Sequence, residues 1–242
     1  MFGVGIAVAE VVRMGSGAAR IIDVQGLRHV RPVKPLRFPS SNSEWDMPQS
    51  FRHHRMCELI YQVLASVAGS SDTVGADQFI YYDASSPRRC VAPDAYVKLG
   101  VPSHMPNSWR TWEKGTPELC VEILSPSDSE EKLSFAEKLR RYTALGTREL
   151  IVFNADRKRI RAWDRVGDDF VERIVAGDQT PCVTIPRHAF VVAPDAKLGH
   201  VLRLRDAEGK LIPTDAEEVA RLREELESRD RPAVKRKKPR RA

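Results

Sequence analysis

The chain has 242 residues, of which 42% are hydrophobic and 30% charged. This length allows one large domain or two small ones, and the composition is that of a soluble globular protein rather than a disordered, collagen-like or membrane protein. No apolar run reaches the roughly 18 residues that a membrane-spanning helix needs. The first twenty residues carry Glu10 and Arg13 and lack a basic leader, which argues against a secretory signal. We therefore expect a cytoplasmic protein with no membrane partner.

The net charge of +6 is concentrated at the C-terminus. Seven of the last twelve residues, RPAVKRKKPRRA, are basic and none is acidic, whereas the rest of the chain is close to neutral. Because such a run cannot bury apolar surface, we expect residues 231–242 to be disordered. Two interpretations stay open: a tether for a polyanion such as nucleic acid, or a solubilising end.

Several common functional motifs are absent from the sequence. The four cysteines are widely spaced and form no CxxC pair, so neither a zinc ribbon nor a dithiol redox site is indicated, and buried free thiols are expected. No GxxxxGK[ST], GxGxxG, HExxH or GxSxG motif occurs. Their absence argues against phosphate-binding loops, zinc proteases and serine hydrolases.

The first half of the chain predicts one helix and three strands. Residues 1–35 show no clear period, and we interpret them as an extended lead-in. Apolar residues then recur every three or four positions, which predicts a helix over residues 48–68. Segments rich in β-branched and aromatic residues predict strands at 78–82, 91–99 and 118–124.

A second helix and a hairpin are indicated next. Ser127 and Glu130 form an S-x-x-E capping box, which predicts a helix that runs to Leu145 and stops at Gly146. The following apolar segments predict strands at residues 149–153, 159–164 and 170–174. A strand, a helix and another strand in succession usually form a crossover between parallel strands. The order of elements therefore predicts an α/β fold with a mixed β-sheet flanked by helices.

The last part of the chain is less regular. Residues 180–203 are mixed and give no clear prediction. Over residues 214–228, apolar residues recur at helical spacing and charged residues fill the other positions. This pattern predicts a charged packing or coiled-coil helix in front of the basic tail.

Two acidic residues stand in apolar segments where a solvated acid is out of place. Asp94 lies in VAPDAYVKL and Glu122 in ELCVEIL, where strand alternation gives Glu122 the same face as Cys120 and Leu124. Acids are rarely buried without a partner, because desolvating an unpaired charge costs several kcal/mol or shifts its pKa. A positively charged group should therefore balance the negative charge of both residues.

A divalent cation held by both acids is one solution. Same-face side chains on neighbouring strands stand about 5 Å apart, which lets two carboxylates grip one ion. Mg²⁺ suits such a pair, with water and substrate phosphate filling its other positions, and it favours phosphodiester hydrolysis. The alternative is that Asp94 and Glu122 form structural ion pairs or lie at an exposed sheet edge.

Lys138 is a third candidate, in the second predicted helix. It lies four residues before Tyr142 and so shares a helical face with it. If that face is turned toward the acidic strands, the ammonium could orient the attacking water or stabilise negative charge on the phosphate. Otherwise Lys138 is a solvated lysine of a charged helix.

The segments VAPDAYV, ELCVEILSPS and FAEKLRRYTALGTRELIVFN together resemble the PD…E…K arrangement of the PD-(D/E)XK nuclease superfamily, and in particular its Uma-two-type restriction endonuclease family. The likeness covers residues 35–175, including SSNSEW, the helix that carries His53, and the GVP…WEKG segment. It implies a restriction-endonuclease-like domain at 36–205. An extension at 1–35 would precede this domain, and a charged helix with a basic tail at 206–242 would follow it.

The resemblance implies a role for each matching residue. Asp94 and Glu122 would bind Mg²⁺, with Mn²⁺ as the alternative ion. Lys138 would be the catalytic lysine, moved onto the helix because Leu124 occupies the usual lysine position. Glu44 would approach the metal from the first helix or the segment before it. His53 also matches a family position, and local capping or hydrogen bonding is its other interpretation.

Five further residues are candidates for contacts with nucleic acid. Lys98, Arg110 and Lys114 could bind backbone phosphates without reading sequence, or could be ordinary exposed cations. Trp109 and Trp112 could stack on bases, or could pack in a core or loop.

The sequence thus favours a Mg²⁺-dependent DNA endonuclease in which an activated water attacks a backbone phosphorus. A homodimer is expected because two active sites cut two strands most simply, and the helix at 214–228 could join the copies. The alternative is a catalytically silent nucleic-acid-binding or assembly module on the same fold. RNA and branched DNA also stay open as substrates.

Overall fold

The computed structural model of the chain describes residues 20–24, 27–31, 50–102, 107–124 and 134–230. The chain divides into two units, Met1–Phe38 and Pro39–Ala242. In the first unit, β1 (Arg20–Val24) and β2 (Leu27–Arg31) pair as an antiparallel hairpin. The segment that we interpreted as an extended lead-in therefore contains a two-stranded sheet.

The second unit combines helices with three sheets. Its described elements, in chain order, are α1 (Phe51–Val67), β3 (Thr73–Gly75), β4 (Ile80–Tyr81), β5 (Cys90–Val91), β6 (Ala95–Lys98), β7 (Trp109–Arg110), α2 (Thr111–Lys114), β8 (Leu119–Leu124), α3 (Phe135–Leu145), β9 (Glu149–Asn154), β10 (Arg159–Val166), β11 (Asp169–Arg173), β12 (Gln179–Pro181), β13 (Ala189–Asp195), β14 (Gly199–Arg205) and α4 (Asp215–Asp230). The large sheet has the order β11-β10-β9-β8-β6-β3, and the smaller ones are β5-β4-β7 and β12-β13-β14.

The large sheet is mixed, as the sequence predicts. Strands β8 and β9 are parallel, and their other neighbours in the sheet pair antiparallel. The helix α3 lies between β8 and β9 in the chain, which confirms the predicted crossover. The α/β fold with a mixed sheet flanked by helices is therefore confirmed.

The helix α1 covers one face of the large sheet. Its N-cap is Ser50, whose hydroxyl accepts the backbone N–H of His53, and its buried side chains recur at helical spacing. Met56, Ile60 and Leu64 lie in a core cluster with alternate residues of β6, β8 and β9 and with residues of β13 and β14. The helix thus packs against both the large sheet and the C-terminal sheet.

The helix α3 covers the opposite face. Tyr142 and Leu145 pack with the other set of alternating strand residues, which includes Cys120 and Leu150. The helix begins after Ser134, whose extended backbone and capping hydroxyl exclude a continuous helix from residue 127. The proposed capping box itself lies outside the described residues. The predicted stop is confirmed, because Gly146 adopts the left-handed conformation with φ of 84°.

Several strands differ from the prediction. The expected strand at 91–99 is two strands, β5 and β6, interrupted at Pro93, which has no N–H to donate to a ladder. The strand expected at 78–82 is limited to β4, and β3 was not predicted. The unassigned segment 180–203 belongs to the antiparallel sheet β12-β13-β14.

A buried ion cluster joins the C-terminal sheet to the large sheet. Glu149, at the start of β9, is fully buried and accepts hydrogen bonds from the backbone N–H groups of Val183 and Thr184 at 3.0 and 2.8 Å. Arg173 donates to Glu149 at 2.9 Å and also binds Asp164 and the carbonyl of Pro181. The loop after β12 is therefore fixed to β9 by charge.

The predicted C-terminal helix is confirmed as α4. Thr214 and Glu217 form a reciprocal capping box, and Arg203 binds the same Glu217 carboxylate. Beyond this first turn the apolar residues of the helix are exposed, with Leu226 60% exposed. Among the described helices, none has the length and apolar character required to cross a membrane.

Candidate active site

Asp94 lies directly before β6, where its carboxylate joins a strand to a helix. Its Oδ2 accepts the backbone N–H of Ile123 in β8 at 2.6 Å, and its Oδ1 lies 3.1 Å from Nε2 of His53 on α1. Ala95 pairs with Val121, so the same register continued by one residue sets Asp94 opposite Glu122. Asp94 is 6% exposed. A buried carboxylate therefore stands where the β6–β8 ladder ends.

Glu122, in β8, receives one donor on each carboxylate oxygen. Lys138 Nζ donates to Oε2 at 2.8 Å, and the Tyr142 hydroxyl donates to Oε1. Both donors belong to α3 and lie one helical turn apart, so the predicted face of this helix does turn toward the acidic strand. Tyr142 is buried, whereas the Lys138 side chain is 20% exposed. The ammonium is thus the member of this group that reaches toward solvent.

The electrostatic surroundings of Glu122 bring the pKa of its carboxyl group close to neutral pH. Its pKa is raised to about 7, mainly by burial; the Lys138 ammonium opposes this shift and the Asp94 charge adds to it. Burial and the neighbouring Glu122 raise the pKa of Tyr142 well above its ordinary value, so the phenol remains a donor. The two acids are therefore close enough to repel each other.

The hydrogen bonds of Asp94 and Glu122 lead to opposite faces of the sheet. A shared ion requires the two strands to be neighbours, and the register of β6 and β8 does set Asp94 opposite Glu122. Asp94 binds His53 of α1, whereas Glu122 binds Lys138 and Tyr142 of α3. The two neighbouring carboxylates are therefore each held by a different helix.

These two residues fit a hard divalent cation. They supply four carboxylate oxygens, the ligand type that Mg²⁺ and Mn²⁺ prefer. Each of the four oxygens lies within hydrogen-bond distance of a neighbouring group, and Asp94 is also hydrogen-bonded to the Cys57 side chain. A dication near Asp94 and Glu122 would relieve the repulsion between them.

A second group of metal-ligand atoms shares Asp94. His53, Cys57 and Asp94 each offer one such atom, these atoms lie within 4.8 Å of one another, and all three residues are buried. Cys57 was not among the site residues predicted from the sequence. The signal available was its position four residues after His53 on a predicted helix, which gives both side chains one face.

The sequence profile of the Uma2 family, described as "Putative restriction endonuclease", matches residues 44–191, more than half of the chain. The chain belongs to the Uma2 family. Among solved structures, a similar chain is the crystal structure of a putative nuclease belonging to DUF820 from Anabaena variabilis ATCC 29413, with 14% sequence identity and a TM-score of 0.41. That similarity covers 67% of this chain and 80% of the other. No curated protein matches the chain.

The Uma2 match includes α1, β6, β8 and α3, and therefore Asp94, Glu122 and Lys138. It begins at Glu44, which the sequence analysis assigned to the metal site. Glu44 lies outside the described residues, as do the basic residues at 231–242. The four cysteines of this Uma2 chain are free and buried, which confirms the expectation of buried thiols.

The candidate phosphate-binding cations of the Uma2 chain already have partners. Lys98 pairs with Glu118 at the end of β6 away from Asp94, about 13 Å along the strand at a rise of about 3.3 Å per residue. Arg110 binds Glu113 at 3.0 Å. Lys114 lies over the Trp109 ring, with Nζ 5.2 Å from its centroid.

The two candidate tryptophans differ in exposure. Trp109 is buried, and its ring N–H donates to the carbonyl of Gly115 at 2.8 Å, so it packs in the core. Trp112 is 42% exposed and lies on the short helix α2. Of the two rings, Trp112 has the surface that stacking on a base would need.

Proposed function

We propose that this Uma2-family chain is a Mg²⁺-dependent endonuclease that hydrolyses phosphodiester bonds in DNA. The observation that carries the proposal is the buried carboxylate of Glu122, bonded to Lys138 and Tyr142 and set opposite Asp94. Burying such a group of ionisable side chains costs folding free energy, and clusters of this kind are typical of reactive sites. Mn²⁺ is the alternative ion.

Each side chain of the group has a separate role. Asp94 and Glu122 hold the ion, which, when bound, polarises the phosphoryl oxygen and lowers the pKa of its water. Lys138 provides a positive charge at the open side of the group, where negative charge develops on the phosphate. Tyr142 fixes the orientation of the Glu122 carboxylate through its hydrogen bond. Glu44 remains a proposed contributor to the metal site.

The proposed DNA contacts come from separate basic residues. Lys98, Arg110 and Lys114 remain predicted phosphate contacts that would first have to exchange their present partners. The basic residues at 231–242 would add sequence-independent attraction, which weakens as salt rises. RNA and branched DNA are alternative substrates, to be compared with plasmid DNA. The cytoplasmic location and the domain boundaries at 1–35, 36–205 and 206–242 also stay predictions.

We also propose a homodimer that forms through α4. Val219, Leu222 and Leu226 follow the three-and-four spacing of a coiled-coil seam and are 45%, 45% and 60% exposed. If two copies of α4 pair in parallel, Glu218 of one copy lies beside the seam near Arg223 of the other. Their opposite charges attract each other. The second copy is therefore the occupant that best fits this face.

The proposal is tested with supercoiled plasmid, Mg²⁺ and three proteins besides wild type: Asp94→Asn, Glu122→Gln and Glu118→Gln. We expect wild-type nicking that EDTA abolishes, and at least a roughly 100-fold loss in the first two variants. Glu118→Gln is the matched control, because Glu118 binds Lys98 at the other end of the same ladder. Circular dichroism verifies that each variant folds.

Two outcomes would contradict the proposal that this chain is an endonuclease. Equal nicking by all four proteins would identify a contaminating nuclease. Salt-sensitive DNA binding without cleavage by the wild-type chain would favour the catalytically silent module. Cleavage of single-stranded RNA or of a branched junction in preference to plasmid would change the substrate.

A further inference from the structure

We propose that His53, Cys57 and Asp94 form a binding site for a zinc-class divalent cation, with a ligand set different from the Asp94–Glu122 pair. His53 and Cys57 lie one turn apart on α1 and both face the carboxylate that precedes β6. The three side chains provide one nitrogen, one sulfur and one oxygen ligand. This donor set suits Zn²⁺, whereas Mg²⁺ takes oxygen ligands and does not bind a thiol.

The spacing of these atoms matches what a tetrahedral ion needs. Bonds of about 2.0 to 2.3 Å to zinc put neighbouring ligand atoms roughly 3.3 to 3.8 Å apart. His53 Nε2 and Asp94 Oδ1 are 3.1 Å apart, and no pair of ligand atoms in the group exceeds 4.8 Å. Small side-chain rotations would therefore close the group around one ion, and water could fill the fourth position.

The surroundings of Cys57 also favour a cation. Burial is the main cause that raises the pKa of the Cys57 thiol, and the charges of Asp94, Asp77 and Glu122 raise it further; the same acids attract a cation. When the ion binds, the Cys57 thiol releases its proton to solvent and the thiolate becomes the ligand, so no redox partner is needed.

The site has a regulatory consequence, because it shares Asp94 with the proposed Mg²⁺ pair. A zinc-class ion bound by His53 and Cys57 would engage the carboxylate that Mg²⁺ requires. We therefore expect micromolar Zn²⁺ to inhibit Mg²⁺-dependent cleavage, a consequence that rests on the proposed nuclease function. The binding site itself does not rest on it.

The binding experiment uses Co²⁺ as a spectroscopic substitute for Zn²⁺ on the full, reduced, metal-free chain. We expect a near-ultraviolet thiolate-to-cobalt absorption band that added Zn²⁺ removes. Cys57→Ser should abolish the band. Cys90→Ser should retain it, because Cys90 is an equally buried thiol outside the group.

A histidine pair provides a second readout in case Cys57→Ser does not fold. His53→Ala should weaken Co²⁺ binding at least about tenfold, whereas His54→Ala, its exposed neighbour on α1, should not. A wild-type chain without the band, or a band that survives in folded Cys57→Ser, would overturn the site. An inactive nuclease that still shows the band would overturn only the proposed function.

Discussion

Lys138 on α3 donates a 2.8 Å hydrogen bond to Glu122 on β8. The contact joins the helix of the β8–α3–β9 crossover to the strand that precedes it. It also lowers the pKa of a carboxyl group that burial raises. This single pair thus couples the position of α3 to the charge state of the candidate active site.

Replacing Lys138 with Met should remove the positive charge beside Glu122 and keep the length of the side chain. We expect the rate of plasmid nicking to fall by roughly 100-fold to 1,000-fold, because the developing negative charge loses its stabilising cation. The matched control is Arg140→Met, since the Arg140 side chain is 71% exposed on the same helix. Similar rates for both variants would argue against a role for Lys138.

Replacing Tyr142 with Phe should remove one hydrogen bond from the buried carboxylate of Glu122. We expect the free energy of unfolding to fall by about 1 to 3 kcal/mol at pH 8, and by less at pH 5, where Glu122 is protonated. The measurement is urea denaturation with EDTA at both pH values. Tyr61→Phe, at a half-exposed position of α1, should change little. An equal loss at both pH values would contradict a bond to the charged form.

The raised pKa of Glu122 predicts how stability depends on pH. Its folded value of about 7 lies above the ordinary 4.5, so between these values the folded chain retains a proton that the unfolded chain has lost. The free energy of unfolding of the metal-free chain should therefore fall as pH rises from about 4.5 to 7. Above that window the loss is complete, and it could reach roughly 3 kcal/mol.

Glu122→Gln checks this prediction directly. The variant has no titrating group at this position, so it should lose less stability than wild type between pH 5 and pH 8. Chemical denaturation in EDTA measures both proteins. A difference between them that stays constant across this range would refute the shifted pKa.

Gly75→Ala should destabilise the fold by about 1 to 3 kcal/mol or more. Gly75 pairs with Tyr96 across β3 and β6, and a Cβ on Gly75 would lie 2.3 Å from the buried Tyr96 ring. Thermal unfolding of the variant measures the effect. Gly69→Ala is the comparison, because its added Cβ would meet only side-chain atoms of Asp72 and Ser71, the nearest at 3.0 Å. Equal melting temperatures for the two variants would contradict this contact.

Leu222→Glu should separate the proposed dimer into monomers. The substitution puts a charge in the middle of the exposed seam of α4, where the second copy would have to bury it. Size-exclusion chromatography with light scattering gives the mass of each protein. Ala220→Glu, on another face of α4, should leave the mass unchanged. A wild-type chain that is monomeric at every concentration would exclude this dimer.

The sequence predicts the parts of the fold that have a clear period. The apolar stripes of α1 and α4 and the alternation of β8 each need only local information, and Gly146 marks the end of α3 by its conformation. Strands such as β4 and β7 pair over two residues, so their existence depends on partners far away in the chain.

The sequence indicates candidate site residues but not all the contacts that each of them makes. The apolar surroundings of Asp94 and Glu122 indicate burial, and the spacing of Lys138 and Tyr142 indicates a shared face. The orientation of the Asp94 side chain toward α1 depends on the strand interruption at Pro93 and on the hydrogen bond from the backbone N–H of Ile123. Both are set by the tertiary structure, which a local sequence pattern does not show. Cys57 belongs to the group with His53 and Asp94 only because the Asp94 side chain is oriented toward α1.

The charge cluster around Glu149 determines where the protein can be shortened. The loop after β12 supplies two of the N–H groups that satisfy this fully buried carboxylate. A chain ending before that loop would leave an anion inside the large sheet with fewer partners, on the strand next to the one that carries Glu122. The family match ends inside β13, so a fragment trimmed to those limits would lose half of that strand. A fragment that keeps β13 whole and paired with its antiparallel partner must therefore extend through β14.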